Sequence, residues 1–172
     1  MNGKQFSVGS SWWPVASGRW IVVWLLALVM LGGCAKVDMD APPEIVYGRD
    51  ICTRCGMIIE DARFAAGYLT EEGEPRIFDD IGGMLRYEAE QPEAIHARWV
   101  HDYETEAWLR AEEAFFVLAP DIHTPMGFGV VALADEGRAT AVALRHNGRV
   151  LTFNELHEQS AMLKADHSGH SH

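Results

Sequence analysis

Residues 63–103 show a pattern of apolar and polar positions that predicts a strand, a second strand, a helix and a third strand. The predicted elements are two strands over 63–70 and 75–80, a helix over 81–91 and a strand over 95–103. The two-residue alternation in 95–103 is typical of a β-strand with one buried face. Asp80 or Asp79 can cap the helix, which ends before Pro92.

The second half repeats this order. Strands are predicted over 114–120 and 129–135, a helix over 135–146, and a strand over 148–153 after the Asn147-Gly148 turn. Asn154 can cap a last helix over 155–165. The pattern therefore predicts an α+β protein of two small ββαβ modules packed together, covering 49–108 and 109–160, with residues 161–172 as a tail.

The N-terminal residues have a different pattern. A continuous apolar run from Trp20 to Met30 follows Arg19 and is shorter than the roughly 20 residues that span a bilayer. Gly32 and Gly33 precede Cys34, as in a bacterial lipobox, so we expect a signal peptide over 1–33 and lipidation of Cys34. An uncleaved anchor with an incidental cysteine is the alternative. Residues 34–48 are expected to be a flexible tether.

Charge and compartment narrow the range of partners. The formal net charge is −11, and residues 1–33 contain no acidic residue, so the exported part of the chain is strongly acidic. Nucleic acid is therefore excluded as an expected partner, because binding phosphates requires a basic surface. The lipid anchor predicts a periplasmic protein attached to a membrane. Ala35 after the cysteine favours the outer membrane over the inner one, by the sorting rule for bacterial lipoproteins.

Cys52 and Cys55 form a Cys-x-x-Cys pair with three possible uses. A zinc ribbon would need a second pair, and haem attachment would need a histidine where Gly56 stands. A thiol–disulfide oxidoreductase, a structural disulfide and a metal site remain open. A thioredoxin-like site normally follows a strand and begins a helix, and no long strand-forming run precedes this pair.

Sulfur donors elsewhere favour the metal site. Met57 follows the cysteine pair, and Met126 lies in a proline- and glycine-rich loop where packing on a regular element is not expected. Thiolate and thioether together select Cu(I) over harder cations. His123 could add a nitrogen donor or could be a surface histidine. The histidines of the tail 166–172 could bind metal weakly or have no role.

The order of these motifs resembles that of the NosL family of nitrous-oxide reductase accessory lipoproteins. The motifs are the lipobox, Cys-x-x-Cys-Gly-Met, Phe-Asp-Asp-Ile-Gly over 78–82 and Pro-Met-Gly over 125–127, and the resemblance runs from Cys34 to about Leu156. It implies a fold of two ββαβ modules similar to the organomercurial lyase core. It also implies periplasmic Cu(I) binding for the copper centres of nitrous-oxide reductase.

Carried over by position, the resemblance implies that Cys55, Met57 and Met126 are copper ligands. Cys52 and His123 are candidates to complete the site. The expected partner is the apo form of nitrous-oxide reductase or another copper-site assembly protein.

The two adjacent carboxylates are not expected to form a catalytic pair. Neighbouring residues of a strand point to opposite faces, so we interpret Asp80 as a helix cap and Asp79 as a group that orients a ligand. The motifs assemble no nucleophile, base and oxyanion hole, so an enzyme is not predicted.

The lipobox makes a prediction about the mature protein. Mass spectrometry of the membrane fraction should find a chain that begins at Cys34 and carries acyl groups on that residue. A chain that still starts at Met1 with an unmodified Cys34 would contradict it.

Overall fold

The computed structural model describes residues 37–167. The expected signal peptide, the lipidation site Cys34 and the last five residues of the tail lie outside this part of the chain. No helix within the described residues is both long and apolar enough to cross a membrane.

The first module is an antiparallel four-stranded sheet with one helix. Its elements are β1 (Ala66–Thr70), β2 (Pro75–Phe78), α1 (Ile81–Glu90), β3 (Ile95–His101) and β4 (Trp108–Arg110), and the strand order is β2-β1-β3-β4. β2 is therefore an edge strand, which leaves one side of its backbone free to pair with a loop.

The second module repeats the arrangement with three strands. Its elements are β5 (Phe115–Leu118), β6 (Val130–Leu133), α2 (Glu136–Arg145) and β7 (Arg149–Thr152), and the strand order is β6-β5-β7. In both modules the first strand is central and the strand after the helix pairs on its other side. The mixed fold with two antiparallel sheets agrees with the predicted repeat.

The boundary between the modules differs from the prediction. β4 pairs with β3, so residues 109 and 110 belong to the first sheet, although the sequence analysis assigned them to the second module. A three-residue strand is too short to show alternation, which is why the pattern did not reveal it.

The final helix, α3 (Phe153–His167), starts earlier and extends further than predicted. Its start is a capping box and not a cap at Asn154. Glu155 accepts hydrogen bonds from the backbone N–H and the hydroxyl of Thr152, both at 2.8 Å, and the Glu155 N–H lies 3.4 Å from the Thr152 hydroxyl. The helix also includes residues 161–167, which were assigned to the tail.

The expected flexible tether is wrong for residues 37–48, which pack along the first sheet. Pro43 is buried, and a Cβ at Gly67 would lie 2.6 Å from its ring, so this glycine makes room for the proline. The Tyr47 hydroxyl lies 2.6 Å from Nε2 of His101, whose Nδ1 lies 2.7 Å from the Glu106 carbonyl oxygen. Because a carbonyl only accepts, Nδ1 carries the proton and Nε2 accepts from Tyr47.

One hydrophobic core joins the two modules. Met84 on α1 is fully buried, as its helical spacing predicts, and the same cluster contains large residues from both sheets and from α3. These include Tyr68, Phe78, Phe116, Phe153 and Leu156. The modules are therefore parts of a single packed unit.

Asp102 joins the end of the first sheet to the second. It is 1% exposed and forms an isolated bridge with Ala132. Its carboxylate accepts hydrogen bonds from the Ala134 N–H at 2.9 Å and from the Arg138 guanidinium at 2.8 Å. Burial opposes ionisation, but these donors and the N–H groups of Thr105 and Glu104 together lower the pKa of Asp102 to about 2.

Replacing the Asp102 carboxylate should lower the free energy of unfolding and make that free energy less dependent on pH in the acid range. Because the pKa of Asp102 is lowered, its contribution is present above the ordinary value of 3.8 and is lost as the pH falls toward about 2. We expect Asp102→Asn to lower the free energy of unfolding at neutral pH by about 2–4 kcal/mol. Urea unfolding at several pH values measures both effects.

Glu104→Gln is the matched control, because Glu104 also contacts Arg138 but is 37% exposed. Its removal should change stability by less than about 1 kcal/mol. If wild type and Asp102→Asn lose stability equally between about pH 4 and about pH 2, this account of Asp102 is wrong.

Candidate metal centre

The cysteine pair lies on a tight turn closed by an antiparallel bridge between Ile51 and Ile58. The Cys52 N–H donates to the Met57 carbonyl at 2.8 Å, and the Gly56 N–H donates to the Cys52 carbonyl at 3.0 Å. Gly56 has a φ of 73°, a left-handed conformation that suits glycine. The turn therefore fixes both thiols and Met57 within one compact loop.

Thr53 attaches this loop to the free edge of β2. Its N–H donates to the Ile77 carbonyl at 2.8 Å, and the Ile77 N–H donates to its hydroxyl at 3.1 Å. One bond joins the two backbones and the other uses the Thr53 side chain, so Thr53 is held at two points on β2. These two bonds place Cys55 next to Asp79, which lies two residues beyond Ile77.

Cys52, Cys55 and Asp79 form a group that could hold a metal ion. One ligand atom from each lies within 4.8 Å of the others. Both carboxylate oxygens of Asp79 lie 3.5 Å from Cys55 Sγ, and the Cys55 N–H donates to Cys52 Sγ at 3.4 Å. Cys52 and Asp79 are buried, Cys55 is half-buried, and both thiols are free.

The surroundings of Cys55 keep its thiol protonated when no metal is bound. Burial raises its pKa to about 12, as do the hydrogen bond with Cys52 and the charge of Asp79, while the Met57 N–H opposes the shift. A redox-active cysteine needs the opposite shift, toward the thiolate. A bound cation would supply the positive charge that the thiolate lacks here.

The adjacent carboxylates of Asp79 and Asp80 diverge, as predicted. Asp79 turns toward Cys55, whereas Asp80 caps α1 by accepting hydrogen bonds from the Gly82 and Gly83 N–H groups at 2.8 and 3.3 Å. The other oxygen of Asp80 accepts from the Met126 N–H at 3.0 Å. The Phe-Asp-Asp stretch therefore contacts both the cysteine loop and the methionine loop.

The other predicted ligands differ in position and exposure. Met57 is on the cysteine loop and is 45% exposed. Met126 is half-buried, and its Cγ would lie 3.7 Å from a Cβ placed at Gly83. His123 is exposed and lies outside the group formed by Cys52, Cys55 and Asp79.

Sequence reasoning missed two features of the centre. It assigned Asp79 an orienting role but did not predict direct contact with Cys55, because these residues are distant in the chain. It also missed the anchoring by Thr53, whose only signal is a β-branched residue between the two cysteines. The cysteine pair lies on a turn and not at the start of a helix, which argues against a thioredoxin-like redox site.

Comparisons with known proteins find relatives of this chain. The NosL family profile matches residues 44–161. The "Copper-binding lipoprotein NosL" of Stutzerimonas stutzeri is 31% identical over 169 residues, which cover 86% of this chain and 88% of that protein. The crystal structure of the copper chaperone NosL from Shewanella denitrificans matches with a TM-score of 0.53 at 17% identity, covering 72% of this chain and 94% of that one.

The structural match supports the fold, and the sequence matches establish the relationship. The family profile covers the cysteine turn, the Asp79-Asp80 junction and the methionine loop. The chain belongs to the NosL family.

Proposed function

We propose that this protein is an exported, lipid-anchored chaperone that carries Cu(I) for the assembly of copper centres in nitrous-oxide reductase. The observation that carries the proposal is the group of two free thiols and one carboxylate in a chain of the NosL family. The acceptor would be the apo reductase or another copper-site assembly protein. The anchor on Cys34 would hold the chaperone at a membrane facing the periplasm, the outer membrane in preference to the inner.

Sulfur atoms would supply the copper ligands. Thiolates and thioethers are the soft donors that favour Cu(I), and a carboxylate oxygen is a hard donor that does not. We therefore assign Cys55 as the charged ligand, Met57 and Met126 as neutral ligands, and Cys52 or His123 as the group that completes the site. Asp79 would act on the metal through Cys55 and not as a Cu(I) ligand.

Asp79 would handle the proton that copper displaces. The Cys55 thiol points at both oxygens of this carboxylate. Loss of the S–H proton is required before the sulfur can bind as thiolate. The carboxylate is a neighbouring acceptor for that proton. Once the proton passes on to solvent, the restored negative charge of Asp79 would offset part of the charge of the cation.

Exposure of the loop suits transfer by ligand exchange. Met57 is 45% exposed and Cys55 is half-buried, so ligands of an acceptor could approach the copper from the side of these two residues. Cys52, at 2% exposed, is shielded from such an approach. Exposed Ile51 and Ile58 flank the same turn and offer an apolar rim for contact with an acceptor.

Two other uses of the cysteine pair compete with this proposal. A thiol–disulfide oxidoreductase would need a thiolate nucleophile, whereas burial and Asp79 raise the pKa of Cys55. A structural lipoprotein would use the pair as a disulfide, whereas both thiols are free in the described fold. Anaerobic titration of reduced protein with Cu(I) against a competing chelator separates the three possibilities.

Loss of individual sulfur ligands should weaken copper binding in that titration. We expect Cys55→Ser to lower Cu(I) affinity about a hundredfold or more, and Met126→Leu to lower it about tenfold, which corresponds to about 2.7 and about 1.4 kcal/mol. Met84→Leu is the matched control, because Met84 is fully buried in the core on α1. Its substitution should leave the affinity unchanged.

Unchanged affinity in Met126→Leu would remove this residue from the ligand set. Disulfide reductase activity that is lost in Cys52→Ser, together with no Cu(I) binding by the wild type, would replace the proposal with the redox hypothesis.

Copper binding should also strengthen with pH. Because the pKa of the Cys55 thiol is raised to about 12, the thiol is protonated throughout the neutral range and each bound Cu(I) must displace its proton. Apparent affinity should therefore rise about tenfold for each pH unit between about pH 6 and about pH 8. The measurement is the competition titration, corrected for protonation of the chelator. A flat profile would contradict the assignment of Cys55 as a protonated resting ligand.

A further inference from the structure

Asp80 is fully buried at the junction of the two modules and uses its oxygens for different tasks. Oδ1 accepts hydrogen bonds from the Gly82 and Gly83 N–H groups at the start of α1. Oδ2 accepts from the Met126 N–H at 3.0 Å, across 46 positions of sequence. One side chain therefore ties the helix of the first module to the methionine loop of the second.

The helix start is shaped to receive this loop. A Cβ at Gly82 would lie 2.3 Å from the Phe128 side chain, so any larger residue there would push the loop away. Gly83 leaves room for Met126, whose Cγ would be 3.7 Å from a Cβ at that position. Two glycines in the first turn weaken a helix, and the seating of the loop explains why they stand here.

The second module provides a comparison within the same chain. Asp135 occupies the same position relative to α2 that Asp80 occupies relative to α1, and it accepts a hydrogen bond from the Arg138 N–H at 2.9 Å. The hydrogen bond of the Asp135 side chain stays within its own helix, whereas one of those of Asp80 reaches the other module. Capping a helix therefore does not by itself require the hydrogen bond that Asp80 accepts from Met126.

We propose that Asp80 is a positioning residue that holds Met126 beside the cysteine loop, so that a carboxylate outside the ligand set determines copper affinity. This inference rests on the proposed function and deepens it. Asp79 contacts Cys55 and the next residue holds the backbone of Met126. The Asp79-Asp80 pair therefore contacts both of the loops that would supply sulfur.

Asp80→Asn tests the inference without changing the size of the side chain. An asparagine has one acceptor oxygen, and its NH₂ group would face the Met126 N–H as a second donor. The cap can persist, but the bond to the loop is lost. We expect Cu(I) affinity to fall about tenfold in the competition titration, close to the loss in Met126→Leu.

A double-mutant cycle distinguishes positioning from general destabilisation. In the Met126→Leu background, Asp80→Asn should cause no further loss of affinity, because the ligand it positions is already absent. Equal losses in both backgrounds, or no loss in Met126→Leu alone, would overturn the inference. Asp135→Asn is the matched control, because it makes the same change at a cap of the same type, and it should leave affinity unchanged.

Hydrogen exchange of the metal-free protein supplies a readout that does not depend on copper. The Met126 amide should exchange faster in Asp80→Asn than in wild type or Asp135→Asn. Unchanged exchange would refute the contact, whereas faster exchange in a protein that binds no Cu(I) would refute the proposed function and not the contact. Should Asp80→Asn fail to fold, Gly82→Ala displaces the loop through Phe128 and leaves the carboxylate intact. We then expect the same loss of Cu(I) affinity and the same faster exchange of the Met126 amide, and unchanged values of both would overturn the inference.

Discussion

Two adjacent carboxylates between a strand and a helix position the candidate centre. Asp79 and Asp80 follow β2 directly, where the backbone bends before α1. One carboxylate meets the cysteine turn and the other meets the methionine loop. Two loops that are about 70 positions apart in sequence thus converge on adjacent residues, with the helix start between them.

Under the proposed function, this arrangement would suit a site that binds a soft cation and can release it. Burial, the neighbouring Cys52 and the Asp79 carboxylate raise the pKa of the Cys55 thiol, so they disfavour the thiolate unless a cation is bound. Part of the metal–sulfur interaction is therefore offset by deprotonation. Neutral thioethers add little charge, and an exposed Met57 leaves one side of the loop accessible. A carrier that must release its cargo benefits from each of these features.

Much of the fold and part of the centre could be predicted from sequence, for reasons that differ by element. The ββαβ repeat can be predicted because its strands are short apolar runs between turn residues and its two helices begin at aspartates. That signal leaves Asp79 and Asp80 both possible as the first cap. The short strand β4 and the packed segment 37–48 were missed, because their order comes from tertiary contacts such as Pro43 over Gly67. Direct contact between Asp79 and Cys55 was missed for the same reason, since it depends on the pairing of Thr53 with β2.

The repeat also explains why only one module carries the thiol group. The junction Asp79-Asp80 in the first module corresponds to Ala134-Asp135 in the second, since each pair lies between the second strand and the helix. Alanine at the first position offers no side chain to a metal, and its N–H is instead bound by Asp102. The second module therefore contributes a loop and a structural anchor, while the first contributes the thiols and the carboxylates.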